Sequence, residues 1–166
     1  MKVELHLKDQ PALKPLVRVY DPELDDASSI LSDICDFAHD YGNFVVSGFG
    51  QERWPTDVRT DLLVFLGQLP GALTSVKSNL PFDIDFYEQG LERRLSFLPA
   101  EHDYIASCSS YGNWTPDPAV EHVDRDSLLA MLASVRDEFM RFTESNFPDL
   151  VSHPWMRAWL SGNWVE

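Results

Sequence analysis

Asp83 and Asp85 stand two residues apart in Phe82-Asp83-Ile84-Asp85-Phe86, where acids alternate with large apolar residues. Side chains on a strand alternate with period two, so both carboxylates fall on one face. With Glu88 close by, such a pair could hold Mg²⁺, a hard cation that takes oxygen ligands, or serve acid–base chemistry. The plainer account is that Phe82, Ile84 and Phe86 build core while the acids face water. Ser107-Cys108-Ser109-Ser110 offers nucleophiles, with His102 as a conceivable base. That chemistry needs nucleophile, base and an orienting third group within hydrogen-bond reach, and no such set is visible. Cys108 reads as an ordinary strand residue.

Gly48-Phe49-Gly50 follows a predicted strand, but the dinucleotide fingerprint needs a further glycine where Arg53 stands. The triplet reads instead as a bend that reverses the chain. No GxxxxGK[ST] phosphate loop occurs, and His39, His102, His122 and His153 form no HxH or HxxxH pair. The expectation is therefore no catalytic residue, no metal and no cofactor.

Carboxylates dominate the charge: 27 Asp and Glu against 13 Lys and Arg, a formal −14 over 166 residues. Such a field repels phosphate and attracts basic surfaces, so nucleic acid and anionic membranes are excluded as passive partners. A salt-adapted chain would carry the same bias for solubility alone. Asp33, Asp36 and Asp40 share one face of a predicted helix, and Asp83, Asp85 and Glu88 lie on a second element, both with few basic neighbours nearby. With Trp54 or Trp114 at the edge, these acids match interface anatomy, in which aromatics anchor and charge steers. The same acids could be plain solvated surface, and the tryptophans plain core.

The elements that must position these residues follow from periodicity. Val3, Leu5 and Leu7 alternate as a half-buried strand, and Leu16–Tyr20 reads as a second. Asp25, Asp26 or Ser28 caps a helix running to about Tyr41, with Gly42 in the left-handed position that ends it. Phe44–Ser47 reads as a buried strand. Pro55 opens a helix with Val58, Leu62, Phe65, Leu66 and Leu69 on its stripe, stopped by Pro70-Gly71, and a short amphipathic piece follows over Ala72–Lys77. Residues 82–109 read as an antiparallel meander and 113–118 as a loop. Asp124 or Asp126 caps the longest helix, Pro148 closes it, and a Trp-rich helix around Trp155 and Trp159 ends the chain. The class is α+β: an antiparallel sheet, the 82–109 meander plus the N-terminal strands, against amphipathic helices.

At this length the chain fits one domain, 1–166, able to bury roughly two-thirds of its unfolded surface without staples. Cys35 and Cys108 make no disulfide framework. The first residues show no signal-peptide block, no apolar run reaches membrane-spanning length, and a cytoplasmic location is the expectation.

Phe44-Val45-Val46-Ser47-Gly48-Phe49-Gly50, Asp85-Phe86-Tyr87-Glu88-Gln89-Gly90 and His153-Pro154-Trp155, set in a small acidic α+β chain, resemble the immunity proteins of bacterial toxin systems, including those of contact-dependent inhibition. The resemblance implies a protein that binds a cognate toxin domain, covers its basic active site and catalyses nothing. It carries over no individual residue. The residues themselves nominate Asp33, Asp36, Asp40, Asp83, Asp85, Glu88 and Trp114 for partner contact. Two rivals stand beside it: a metal-assisted hydrolase using Asp83 and Asp85, and a regulatory or structural subunit docking through Trp155, Trp159 and Trp164. Oligomeric state is not legible.

Overall fold

The structure, a computed structural model, describes residues 1–9, 18–88 and 90–162. Strand β1 (Lys2–Leu7) pairs antiparallel with β2 (Gly42–Ser47), setting Val3 against Val46 and Leu5 against Phe44. These four side chains point one way and are buried, as the alternation predicts. Between the strands lies helix α1 (Ala27–Ala38), followed by one 3-10 turn at His39–Tyr41. The Asp26 carboxylate accepts the Ser28 and Ser29 N–H groups, and the Ser29 hydroxyl accepts the Asp26 N–H in return. This reciprocal pairing satisfies donors that every helix start leaves open.

Gly42 does not take the expected left-handed conformation. It is extended and begins β2. Glycine is needed there for space, since a Cβ would stand 2.2 Å from Leu7 Cδ2. Of the predicted Leu16–Tyr20 strand, residues 16 and 17 lie outside the described residues, and Arg18–Tyr20 form no regular element.

Helix α2 (Asp61–Lys77) starts six residues after Pro55 and runs unbroken through Pro70, contrary to the expected stop. A helix-interior proline lacks the N–H that residue i−4 would receive, and its ring pushes that carbonyl aside. Here the carbonyl is that of Leu66, and the Trp159 indole Nε1–H donates to it at 2.9 Å in a fully buried position. A side chain from the end of the chain thus replaces the missing helical donor.

Strands β3 (Phe82–Phe86), β4 (Arg93–Ala100), β5 (Asp103–Ser110) and β6 (Val120–Asp124) form an antiparallel sheet in sequence order. The meander is as expected but gains β6 where no element was predicted, and the N-terminal strands make a separate two-stranded sheet instead of extending it. Glu121 of β6 joins the two sheets, since its carboxylate receives both the Met1 ammonium and the Phe49 N–H. Asp124 caps α3 (Arg125–Asn146) through the Ser127 N–H at 2.8 Å, and α4 (Pro148–Val151) and α5 (Pro154–Ser161) complete the α+β fold.

Phe44 of β2, Phe65 of α2 and Phe86 of β3 touch one another, and Phe139 of α3 meets Trp159 edge-on. Both sheets and helices α1, α2, α3 and α5 therefore share one apolar cluster. Trp159 belongs to that cluster and is no exposed dock. Trp155 is half-buried against Tyr20 and His153, and Trp164 lies outside the described residues. Among the described residues no helix is long and apolar enough to cross a membrane.

Candidate functional site: the open sheet face

Period two divides the four-stranded sheet into two faces. The inner face carries Ile84, Phe86, Leu95, Phe97, Tyr104, Ala106 and Cys108, all buried, and Tyr104 donates its hydroxyl to Leu80 O at 3.1 Å. The outer face follows from the register. Asp83, Ser96, Ser107 and Val120 form one cross-strand row, and Leu98, Ile105 and His122 the next. Asp85, Arg94 and Ser109 flank these rows at one end, and Ala100, Asp103 and Asp124 at the other.

Leu98 is 55% exposed and Val120 47%, whereas a sheet face covered by a helix hides such residues. The centre of this face is thus apolar and serine-lined. Among the described residues four aspartates stand around it, against one arginine and one histidine. Tyr87 and Tyr111, both exposed, extend it beyond the ends of β3 and β5. Small serine side chains let another backbone approach closely, and an apolar centre with a charged rim is the common plan of protein interfaces.

The nominated acids do not converge on one patch, and arginines answer several of them. Asp33 accepts Arg18 Nε and the Tyr20 hydroxyl, each at 3.0 Å, while Arg18 also reaches Asp25 at 2.8 Å. Asp36 pairs with Arg59 at 2.8 Å. Asp40 is exposed, with His39 at 3.7 Å. Asp83 and Asp85 do share the outer sheet face, but Asp85 receives Arg94 Nε and Nη2 on one oxygen, at 3.0 and 2.6 Å. That hydrogen bond is the first reason the Arg94 pKa rises. Glu88, just past β3, lines a small hollow of about 180 Å³ with Ser28 and Leu31 of α1. The expectation of few basic neighbours is therefore corrected: partners invisible as sequence neighbours arrive through the fold.

Trp114 is likewise committed inward. The centre of its ring lies 3.6 Å from the Arg93 guanidinium carbon, and that of the buried Trp54 lies 4.5 Å from the same carbon, the two indoles being inclined at 60° to each other. Arg93 is 4% exposed, donates Nη1 to Gln51 Oε1 at 2.8 Å, and leaves Nε buried without an acceptor. Burial pulls its pKa down. Two indole faces offset part of the cost of an interior cation. Sequence reading passed over Arg93, although it shares the core phase of Leu95 and Phe97.

The chemical candidates do not assemble. Among the described residues no three His, Cys, Asp or Glu side chains are grouped as metal ligands. His102 precedes β5 and Cys108 lies six residues along it, roughly 20 Å at strand rise. Burial raises the Cys108 thiol to about 11, so it is a poor nucleophile. The Gly48–Gly50 triplet is the expected bend: Gly48 and Gln51 bridge, and all three central residues have positive φ. No protein-family model, curated protein or solved structure matches this chain.

Proposed function

We propose that this chain is a non-catalytic binding protein that neutralises a basic protein partner, a toxin domain in the manner of the immunity proteins it resembles. The observation that carries the reading is the open face of the β3–β6 sheet, with Leu98, Ile105 and Val120 at its centre and Asp83, Asp85, Asp103 and Asp124 around it. A partner that binds nucleic acid must display Lys and Arg for phosphate contact. A carboxylate-rimmed face competes for that surface, and the −14 charge speeds encounter. The apolar centre supplies the affinity, since rim charges govern mainly the on-rate.

The test begins with affinity capture from the source cells and purification of the captured protein. Association is then measured against ionic strength for the wild type, Leu98→Lys and Val120→Lys. The expected result is an association rate that falls steeply with salt, a loss of at least about 100-fold in affinity for both variants, and a partner activity abolished in the wild-type complex. A salt-independent association rate with full affinity in both variants would refute the proposal.

A further inference from the structure

β3 is the first strand of its sheet, and its outer edge looks across a groove toward α2. In an antiparallel sheet successive residues aim their N–H and C=O at alternate sides. Asp85 aims away from β4, and Gln68 takes both of its groups: Oε1 accepts the Asp85 N–H at 2.8 Å and Nε2 donates to the Asp85 carbonyl at 3.0 Å. One side-chain amide thereby imitates one residue of a missing fifth strand. Asp83, two residues earlier, aims its backbone groups to the same side. There the groove, about 430 Å³, is lined by Gly67, Gln68, Gly71 and Ser75 of α2 together with Phe82 and Asp83. Gly67 and Gly71 lie one turn apart, and a Cβ on Gly71 would meet nothing within 4 Å.

We propose that this edge accepts a fifth strand from the partner, an extended segment with basic and apolar residues in alternation. Main-chain addition to a sheet edge is a recurrent mode of peptide recognition. The segment pairs with Asp83 and, as Gln68 swings aside, with Asp85. Side chains on its inner face lie over the glycine floor, which has room for apolar groups. Those on its outer face stand beside the Asp83 and Asp85 carboxylates, which select Lys or Arg. The same carboxylates oppose pairing of β3 with β3 of a second copy, since like charges face each other across such a ladder. This inference rests on the reading of the chain as a binder of a basic partner.

The probe is a capped nine-residue peptide alternating Lys and Val, titrated into the full chain at fixed ionic strength. Its controls are a block isomer of the same composition and two backbone N-methylated forms, one methylated at the Lys nitrogens and one at the Val nitrogens. Strand addition predicts that one methylated form loses binding at least about tenfold while the other keeps it, because only one set of N–H groups faces β3. Gln68→Ala tightens binding, and Asp83→Pro, which removes an N–H on the side away from β4, abolishes it. Equal binding by both methylated forms and the block isomer reduces the effect to charge and overturns the inference, as does absence of binding to Gln68→Ala. If Asp83→Pro fails to fold, the two methylated forms still decide. Should the edge fail while Leu98→Lys still weakens the captured partner, the strand proposal falls alone. Should Leu98→Lys also leave that partner unaffected, the binding reading falls with it.

Discussion

Removing the indole N–H of Trp159 tests whether one side chain completes α2. Trp159→Phe keeps an aromatic ring beside Phe139 but leaves the Leu66 carbonyl buried without a donor. An orphaned buried acceptor costs about 1–3 kcal/mol, and the smaller ring opens a cavity worth a further 1 kcal/mol or so. The expected loss is therefore about 2–4 kcal/mol, read from urea unfolding followed by far-ultraviolet circular dichroism. Cavity and hydrogen bond separate in a double-mutant cycle. Pro70→Ala restores a backbone N–H that can serve Leu66, so in that background Trp159→Phe costs only the cavity. The two changes then couple by about 1–2 kcal/mol. Additivity within about 0.5 kcal/mol, the level expected of independent sites, would refute the account of how α2 passes through its proline.

Three further outcomes follow from the interior. Burial first, and then the Asp57 and Glu88 charges, raise Asp61 to about 6 from the 3.8 of an ordinary aspartate; its ionised form opposes folding, so stability is full below about pH 4 and falls as pH rises through 6. Asp61→Asn, whose amide oxygen can still accept the Asp57 N–H, should add about 2–3 kcal/mol at pH 7.5 and nothing at pH 4 in parallel melts, since each displaced unit is worth about 1.4 kcal/mol. Gly50 has φ 82°, and a Cβ there would stand 1.9 Å from the Asp117 carbonyl; Gly50→Ala is expected to cost more than about 2 kcal/mol in urea and to free Trp114 from Arg93, seen as a shift in tryptophan emission. Truncation at Phe147 removes Leu150, Met156 and Trp159 from the core, at roughly 2 kcal/mol or more for each, and should leave a chain without a cooperative unfolding transition.

Those parts of the fold whose signal is local were legible in the sequence. Strands β3 to β5 declare themselves because Ile84, Phe86, Leu95 and Phe97 keep period two without interruption. α1 and α3 declare themselves through their stripes and the caps Asp26 and Asp124. β6 was missed because its inward position 121 is a glutamate, acceptable there only through the Met1 ammonium and the Phe49 N–H. α2 was broken at Pro70 because its substitute donor comes from α5. For the candidate site, alternation placed Asp83 and Asp85 on one face. It could not supply Leu98, Ile105 and Val120 as their neighbours, because cross-strand rows exist only once the register does.

The acids kept in the proposed site share the outer sheet face, whereas of those set aside Asp33 and Asp36 are answered by arginines and Asp40 and Glu88 lie off that face. Arg18 and Arg59 answer the α1 carboxylates, Arg141 answers Asp9 and Glu138, and Arg125 is spent on the Val76 and Lys77 carbonyls. Among the described residues, Arg94 is the one arginine on the sheet face, opposite four aspartates. Beyond the Debye length, about 8 Å in physiological salt, exposed charges are largely screened, so an approaching cationic partner responds mainly to the carboxylates nearest its path. At contact it must compete with Arg94 for Asp85. Arg94→Gln deletes one positive charge at the rim and frees that carboxylate, so a basic partner should associate about threefold faster, the attraction of one further unit charge at roughly 7 Å in water. The gain should vanish in 0.5 M salt and be absent from Arg59→Gln, whose carboxylate lies on α1. Equal acceleration by both variants would mean that steering is indifferent to place and that the sheet face has no special claim on the partner.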